Sequence, residues 1–331
     1  MNYIGSKLKL SKFIKAEIKA VVGETKDKVF CDLFAGTGAI GRAFKLDSKK
    51  VIANDIEYYS FVLNRNYIGN HEKLDWHKRI DELNQLEGVE GFVYKHYCAG
   101  SGSERQYFSD GNGKRIDAVR QRIEAWKTSG EINENEYYYL LTSLLEHADA
   151  VANTASVYGA FLKQLKKSAQ KPLWLKPALF DLNDAEHEVI HGDANETIKQ
   201  IEGDILYLDP PYNGRQYGCN YHMLNTIALY DDFKPAGKTG LREYKRSMFC
   251  VKNKVAESFE DLVKNAKFKY IFLSYNNEGL MPPEAIKTIM DKYGSYAVIE
   301  TEYQRFKADT TENRNHKATS TTEFLHVLEK L

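Results

Sequence analysis

"KVFCDLFAGTGAIGRAFK", residues 28–45, decides the fold. Three apolar residues, Val29, Phe30 and Cys31, run into Asp32, a glycine-rich turn follows, and an apolar-periodic segment leaves it. That is strand, turn and helix in eighteen residues. Gly36-Thr37-Gly38-Ala39-Ile40-Gly41 matches GxGxxG letter for letter. Glycines there allow a tight turn and a close approach to a bound ligand at the helix start.

The pattern repeats downstream. "KKVIANDIEYYSFVLNRNYI" (49–68) supplies a strand at Val51–Ala53, an acidic tip at Asn54-Asp55 and a helix. "EVIHGDANETIKQIEGDILYLDPPY" (188–212) supplies strand, acidic turn, helix and strand, and "FKYIFLSYNNEG" (268–279) one strand more. Strands alternating with helices predict a parallel sheet covered on both faces. "YAVIETEYQRFK" (296–307) and "TTEFLHVLEKL" (321–331) look like the arms of a terminal hairpin. Lys-rich residues 7–20, with Leu10, Phe13, Ile14 and Ile18 at helical spacing, predict a leading helix.

From about residue 71 the alternation stops. "YKHYCAGSGSERQYFSDGNGKRID" (94–117) is polar and glycine-rich and predicts a mobile loop. Helical stretches are expected at about 116–128 and in "NEYYYLLTSLLEHADAVANTAS" (135–156). "GAFLKQLKKSAQKPLWLKP" (159–177) carries five lysines and no acid. The expected organisation is an α/β domain formed by 1–70 and 188–331, with an inserted, mostly helical region at 71–187.

Composition bounds the rest. The chain has 331 residues, 43% hydrophobic and 28% charged, and Lys+Arg and Asp+Glu each number 46. This is a globular composition whose zero net charge points to no polyanionic partner by itself. Cys31, Cys98, Cys219 and Cys250 show no CxxC spacing, which argues against zinc and disulfides; no metal is expected. The N-terminus lacks the apolar core of a signal peptide, and no run approaches the roughly 18 apolar residues of a membrane span. A cytoplasmic protein with no membrane contact is expected.

The glycine loop supports two ligands. A dinucleotide would place its pyrophosphate on the helix start and its ribose on Asp55. Asp32, at the end of the strand that feeds the loop, would repel a pyrophosphate and suits a cation. The amino group and sulfonium of S-adenosylmethionine meet that description, with Asp55 on the ribose and Ile56 against the adenine ring.

The turn Asp209-Pro210-Pro211-Tyr212 favours the second ligand. The lone pair of an exocyclic amine such as adenine N6 is delocalised into its ring. A carboxylate oxygen from Asp209 and the Pro210 carbonyl could accept its two N–H groups and offset the charge that forms on methylation. The prolines fix φ and aim that carbonyl. Tyr212 offers a ring on which an extruded base could stack.

With these blocks in view, residues 1–66 and 188–331 resemble the adenine-N6 DNA methyltransferases of the alpha class, which includes the Dam enzymes and many restriction-modification methylases. The matching blocks are "NYIGSK", "DLFAGTG", "ANDI", "HGDA", "LYLDPPYNGRQYGCNYHMLNTIALYD" and "FLSYNNEG". Their order, glycine loop, long insertion, acid-proline turn, is that of the class. The resemblance implies a Rossmann-like class I S-adenosylmethionine-dependent methyltransferase sheet with a terminal antiparallel hairpin. It implies methyl transfer to adenine N6 in a specific double-stranded DNA sequence by base flipping, as the methylase of a restriction-modification system. A cognate endonuclease acting on the same site, action as a monomer, and a bacterial or phage cytoplasm near the nucleoid go with it. Cytosine N4 and an RNA base stand as alternative acceptors.

The site residues follow. Asp209, Pro210 and Tyr212 are the catalytic candidates. The resemblance places Tyr3 and Lys7 at the cofactor's methionine end, beside Asp32 and Phe34, and Asp193 on the cofactor adenine. Gly36, Gly38, Asp55, Ile56 and Asp209 complete the cofactor set. Ala194 departs from the pattern, since some members carry an aromatic there. The insertion becomes the target-recognition region, with Lys163, Lys166 and Lys167 following phosphates. Arg215, after the acid-proline turn, is expected to close over the vacated base position. Arg242 and Arg246 belong to a second basic cluster.

Overall fold

A computed structural model describes residues 7–304 and 320–331. Tyr3 lies outside the described residues. Among the described residues seven strands form one sheet: β1 (Val29–Asp32), β2 (Lys50–Asp55), β3 (Glu188–His191), β4 (Glu202–Leu208), β5 (Lys267–Asn276), β6 (Gly294–Gln304) and β7 (Ser320–Lys330). Their order is β3-β2-β1-β4-β5-β7-β6. β1 to β5 run parallel, while β7 is antiparallel to both β5 and β6. A reversed strand between the fifth and sixth marks the class I methyltransferase sheet, so the expected fold and its terminal hairpin are present.

In chain order the helices are α1 (Ser11–Val22), α2 (Ala39–Phe44), α3 (Tyr58–Asn64), α4 (Lys78–Gln85), α5 (Phe92–Tyr97) and α6 (Asp110–Ser129). They continue as α7 (Glu134–Ala150), α8 (Ala194–Thr197), α9 (Tyr217–Asn220), α10 (His222–Leu229), α11 (Val255–Asn265) and α12 (Pro283–Met290). The chain divides into two compact units. One is the sheet unit, Gly5–Asn64, Asn183–Gln216 and Lys245–Leu331; the other is helical, Arg65–Leu182 with Tyr217–Tyr244.

Within the sheet unit, alternate residues of one strand feed opposite layers. Cys31 joins a core with Phe259 and Leu262 of α11 and Ile286 and Met290 of α12. Its neighbour Phe30 stacks instead on Phe44 of α2, with ring centroids 4.0 Å apart. β1 and β4 are neighbours in the sheet although β2 and β3 lie between them along the chain. The strand order therefore reverses between β1 and β4, and ligands of open α/β sheets bind outside the strand ends at such a point. Asp32 ends β1 and Asp209 follows β4, so both acids belong to it.

The helical unit differs from expectation in three ways. Its boundaries fall at 64/65 and 182/183, and it takes in 217–244, which the sequence pattern assigned to the sheet domain. The physical reason is burial: the Ile227 and Ala228 carbonyls at the end of α10 accept hydrogen bonds from Arg120 of α6, each at 3.1 Å. The glycine-rich 94–117 is helical at both ends, in α5 and α6, and forms turns and bends over 98–109. Ser109 caps α6 through the Asn112 N–H, and the Asp117 carboxylate accepts the N–H groups of Gly91, Val93 and Tyr94 around the start of α5. The basic stretch 163–176, within the region expected to be mostly helical, forms no helix. Pro172 and Pro177 restrict the backbone there and remove donors.

Candidate active site

Gly36 and Gly38 adopt φ of 51° and 76°, a region where a side chain is strained, so the turn needs both glycines. The Gly36 N–H donates to Asp55 Oδ2 at 2.8 Å. Its carbonyl accepts from Ser60 Oγ (2.5 Å) and Asn64 Nδ2 (3.1 Å), one turn apart on α3. Asp55 Oδ1 accepts from the Glu57 N–H at 2.9 Å. Burial raises the Asp55 pKa against these donors. Asp55 thus fastens the loop to α3, and each oxygen retains a lone pair for a hydroxyl.

Asn54, buried beside it, joins three strand ends. Its amide donates to the carbonyls of Leu33 (3.0 Å) and Gly192 (3.2 Å), and its oxygen accepts from Thr197 Oγ1 (3.1 Å). His191 donates from Nε2 to the Ile56 carbonyl at 3.0 Å; an acceptor that is only an acceptor fixes the proton on that nitrogen. Sequence reasoning passed over Asn54, Ser60, Asn64 and His191 as site-building groups.

Asp32 is 2% exposed. Oδ2 accepts from the Gly41 N–H at 3.0 Å, whereas Oδ1 is buried without a partner. Burial pushes its pKa up to about 8, with Asp209 and Asp55 adding to the rise. Half-buried Phe34 sets its edge against Phe249, centroids 4.9 Å apart. Asp193 caps α8, accepting at Oδ1 from the N–H groups of Asn195 (2.9 Å) and Glu196 (3.4 Å). Ile56 is half-buried beside Asp55 and Ala194 is buried after Asp193.

Asp209 meets a lysine. The Lys7 ammonium, 6% exposed, lies 3.0 Å from Asp209 Oδ1 and 3.7 Å from Glu323 Oε2. Burial pushes the Asp209 pKa up to about 6; Lys7 opposes the rise and Glu323 adds to it. Burial alone would lower Lys7, but the two carboxylates hold it above the usual lysine range. Pro210 is buried, and the Tyr212 carbonyl accepts from the Leu280 N–H at 2.9 Å, which ties the turn to the chain after β5. Gln216 exchanges two hydrogen bonds with the Ser247 backbone, 3.1 and 2.8 Å, closing the segment that follows. Arg215 is exposed.

The other expected phosphate contacts divide. Lys163, Lys167 and Arg246 are exposed. Lys166 is not available as a surface cation, because its ammonium donates to the Thr154 carbonyl at 2.6 Å and burial lowers its pKa. Arg242 is engaged too: two bonds of 3.0 Å reach Asp231 and its guanidinium covers Phe233. Among the described residues no helix is long and apolar enough to cross a membrane.

The donor set fits S-adenosylmethionine on one structural observation above all. A buried carboxylate oxygen with no partner, Asp32 Oδ1, stands at the glycine loop and calls for a cationic donor.

Comparison with known proteins agrees. Residues 3–289 match the family model described as D12 class N6 adenine-specific DNA methyltransferase. The chain is 64% identical to the type II methyltransferase M.NlaIII of Neisseria lactamica, over 100% of this chain and 99% of the relative. It is 39% identical to the type II methyltransferase M.CviAII of Paramecium bursaria Chlorella virus 1, over 93% of each. Identity to the type II methyltransferase M.FokI of Planomicrobium okeanokoites is 37%, over 100% of this chain and 53% of that relative.

Proposed function

The chain belongs to the D12 class of N6 adenine-specific DNA methyltransferases, and from that premise we propose that the turn Asp209–Tyr212 receives the target amine. The enzyme is a type II modification methyltransferase that uses S-adenosylmethionine, whose sulfonium supplies the methyl group as an electrophile. Asp32 would hold the cofactor's cationic end, Asp55 its ribose, and Phe34, Ile56 and Asp193 its remaining faces.

The chain's own part in transfer follows from the carboxylate beside the prolines. Asp209 accepts one N–H of adenine N6 and the Pro210 carbonyl accepts the other. Two acceptors on one nitrogen draw its lone pair out of the ring and stabilise the cation that forms as the methyl arrives. The Asp209 carboxylate, 18% exposed at the end of β4, is the observation that carries this assignment. Tyr212 stacks on a base flipped from the duplex, returning about 1–3 kcal/mol of the flipping cost.

The helical unit is the target reader, with Lys163 and Lys167 on phosphates, and Arg215 covers the gap left by the flipped base. A cognate endonuclease with the same target, and a cytoplasmic location, accompany a modification methylase. Transfer of a tritiated methyl group to DNA, with nucleoside analysis of the product, tests the reaction; N4-methylcytosine as product would overturn it. A 2-aminopurine at the target position reports flipping by its fluorescence, and a silent probe at full DNA occupancy would remove that step.

A further inference from the structure

Lys7 poses a problem for any amine that approaches Asp209. Its ammonium already donates to Asp209 Oδ1 at 3.0 Å, and both groups are largely buried. An incoming N6 amine needs that carboxylate, and the charge that develops on N6 repels a cation left beside it. The ammonium must therefore have somewhere else to go. It is held by a side chain only 6% exposed, so release to water is a poor alternative.

Glu323 offers the destination. Its Oε2 lies 3.7 Å from Lys7 Nζ, is itself buried, and has no hydrogen-bond partner. A carboxylate oxygen left unsatisfied in a buried position is costly and calls for an explanation. The residue stands on a rigid element, since β7 is paired on both sides, with Glu323 opposite Asn276 of β5 and Thr301 of β6. A move of about 1 Å by the ammonium would convert the 3.7 Å approach into a charge-assisted hydrogen bond.

We propose that Glu323 is a positioning residue that takes over the Lys7 ammonium when the target amine claims Asp209. The proposal rests on the assignment of Asp209 as the amine acceptor. In the free protein Lys7 is shared unequally between the two acids, close to Asp209 and at the edge of reach of Glu323. With the base in place the balance reverses, and Asp209 presents an uncompensated negative charge to the nitrogen. The other ionisable groups that bear on this exchange are Asp32, whose pKa Asp209 raises, the buried Tyr207 hydroxyl and the half-buried Tyr212.

The test is a double-mutant cycle on the intact enzyme, read by single-turnover methylation at saturating cofactor and DNA. Glu323→Gln keeps the shape and removes the charge that receives the ammonium. It should slow methylation about tenfold or more while calorimetric affinity for S-adenosylmethionine stays within about twofold. In the Lys7→Met background no ammonium has to move, so the same substitution should cause no further loss. A gain there also supports the exchange, because Asp209 and Glu323 then no longer oppose each other as bare charges. Equal losses in both backgrounds, no loss with Lys7 present, or a fall in cofactor affinity large enough to account for the slowing would each overturn the proposal. Glu323→Asp replaces Glu323→Gln if the latter does not fold: its shortened carboxylate should slow methylation less, again only with Lys7 present. A wild-type enzyme that methylates no adenine would refute the function itself, whereas failure of the cycle with an active wild type refutes only the exchange.

Discussion

At the scale of single residues, the two acids at the reversal of strand order differ in protonation, and that difference is measurable. Asp209, pushed up to about 6, is protonated below that pH and ionised above it. An acceptor must be ionised, so kcat/KM should rise with pH through about 6 and drop about tenfold per unit below it. Asp209→Asn removes the charge that offsets the cation forming at N6. Single-turnover methylation should slow by about a hundredfold or more with DNA binding near wild type; an unchanged rate would remove Asp209 from the chemistry. Asp32, pushed up to about 8, carries its proton at pH 7 in the free protein. A cationic ligand at Oδ1 favours the charged form and expels that proton. Cofactor binding at pH 7 should release about one proton, read as a dependence of the calorimetric enthalpy on buffer ionisation heat. An enthalpy indifferent to buffer would mean that Asp32 stays neutral and the cofactor's cation lies elsewhere.

At the scale of elements, the site is held by short-range devices that sequence exposes and by long-range ones that it hides. The glycine loop, Asp55 and the acid-proline turn were legible because each depends on neighbours within one strand-turn unit. Asn54 was named only as part of an acidic tip; that its amide closes on Leu33 and Gly192 depends on which strands lie beside β2. Glu323 was invisible for the same reason, since only the reversed pairing of β7 with β5 brings it to Lys7. The helix of 222–229 has an apolar pattern that suits either unit, and its packing on α7 together with its capping by Arg120 assigns it to the helical one. These devices predict distinct costs. Asn54→Ala leaves two carbonyls and the Thr197 hydroxyl without their partner and should lower stability by about 2–4 kcal/mol in urea denaturation. Gly38→Ala forces a side chain into φ of 76° and should cost about 1–2 kcal/mol. A loss near zero at Asn54 would mean that water replaces the amide and that the strand ends hold without it.

At the scale of the whole molecule, a chain of zero net charge must bind a polyanion through local surfaces, so which cations remain free matters more than how many there are. Composition marked 163–176 as basic but could not separate lysines that face solvent from one that serves the fold. The structure separates them: Lys163 and Lys167 are exposed, while Lys166 is bonded to the Thr154 carbonyl. The Arg242 charge is likewise neutralised by Asp231, and exposed Arg246 is left as the better candidate in that cluster. Each phosphate neutralised contributes about 0.9 to the slope of log affinity against log salt. Lys163→Ala and Lys167→Ala together should therefore flatten the slope by roughly 1.8 if both track the backbone of DNA. Lys166→Ala should leave the slope alone and lower thermal stability instead, because the Thr154 carbonyl loses its donor. A slope that responds to Lys166→Ala and not to the exposed pair would mean that this segment rearranges on DNA. The bond to Thr154 would then belong to the free enzyme alone.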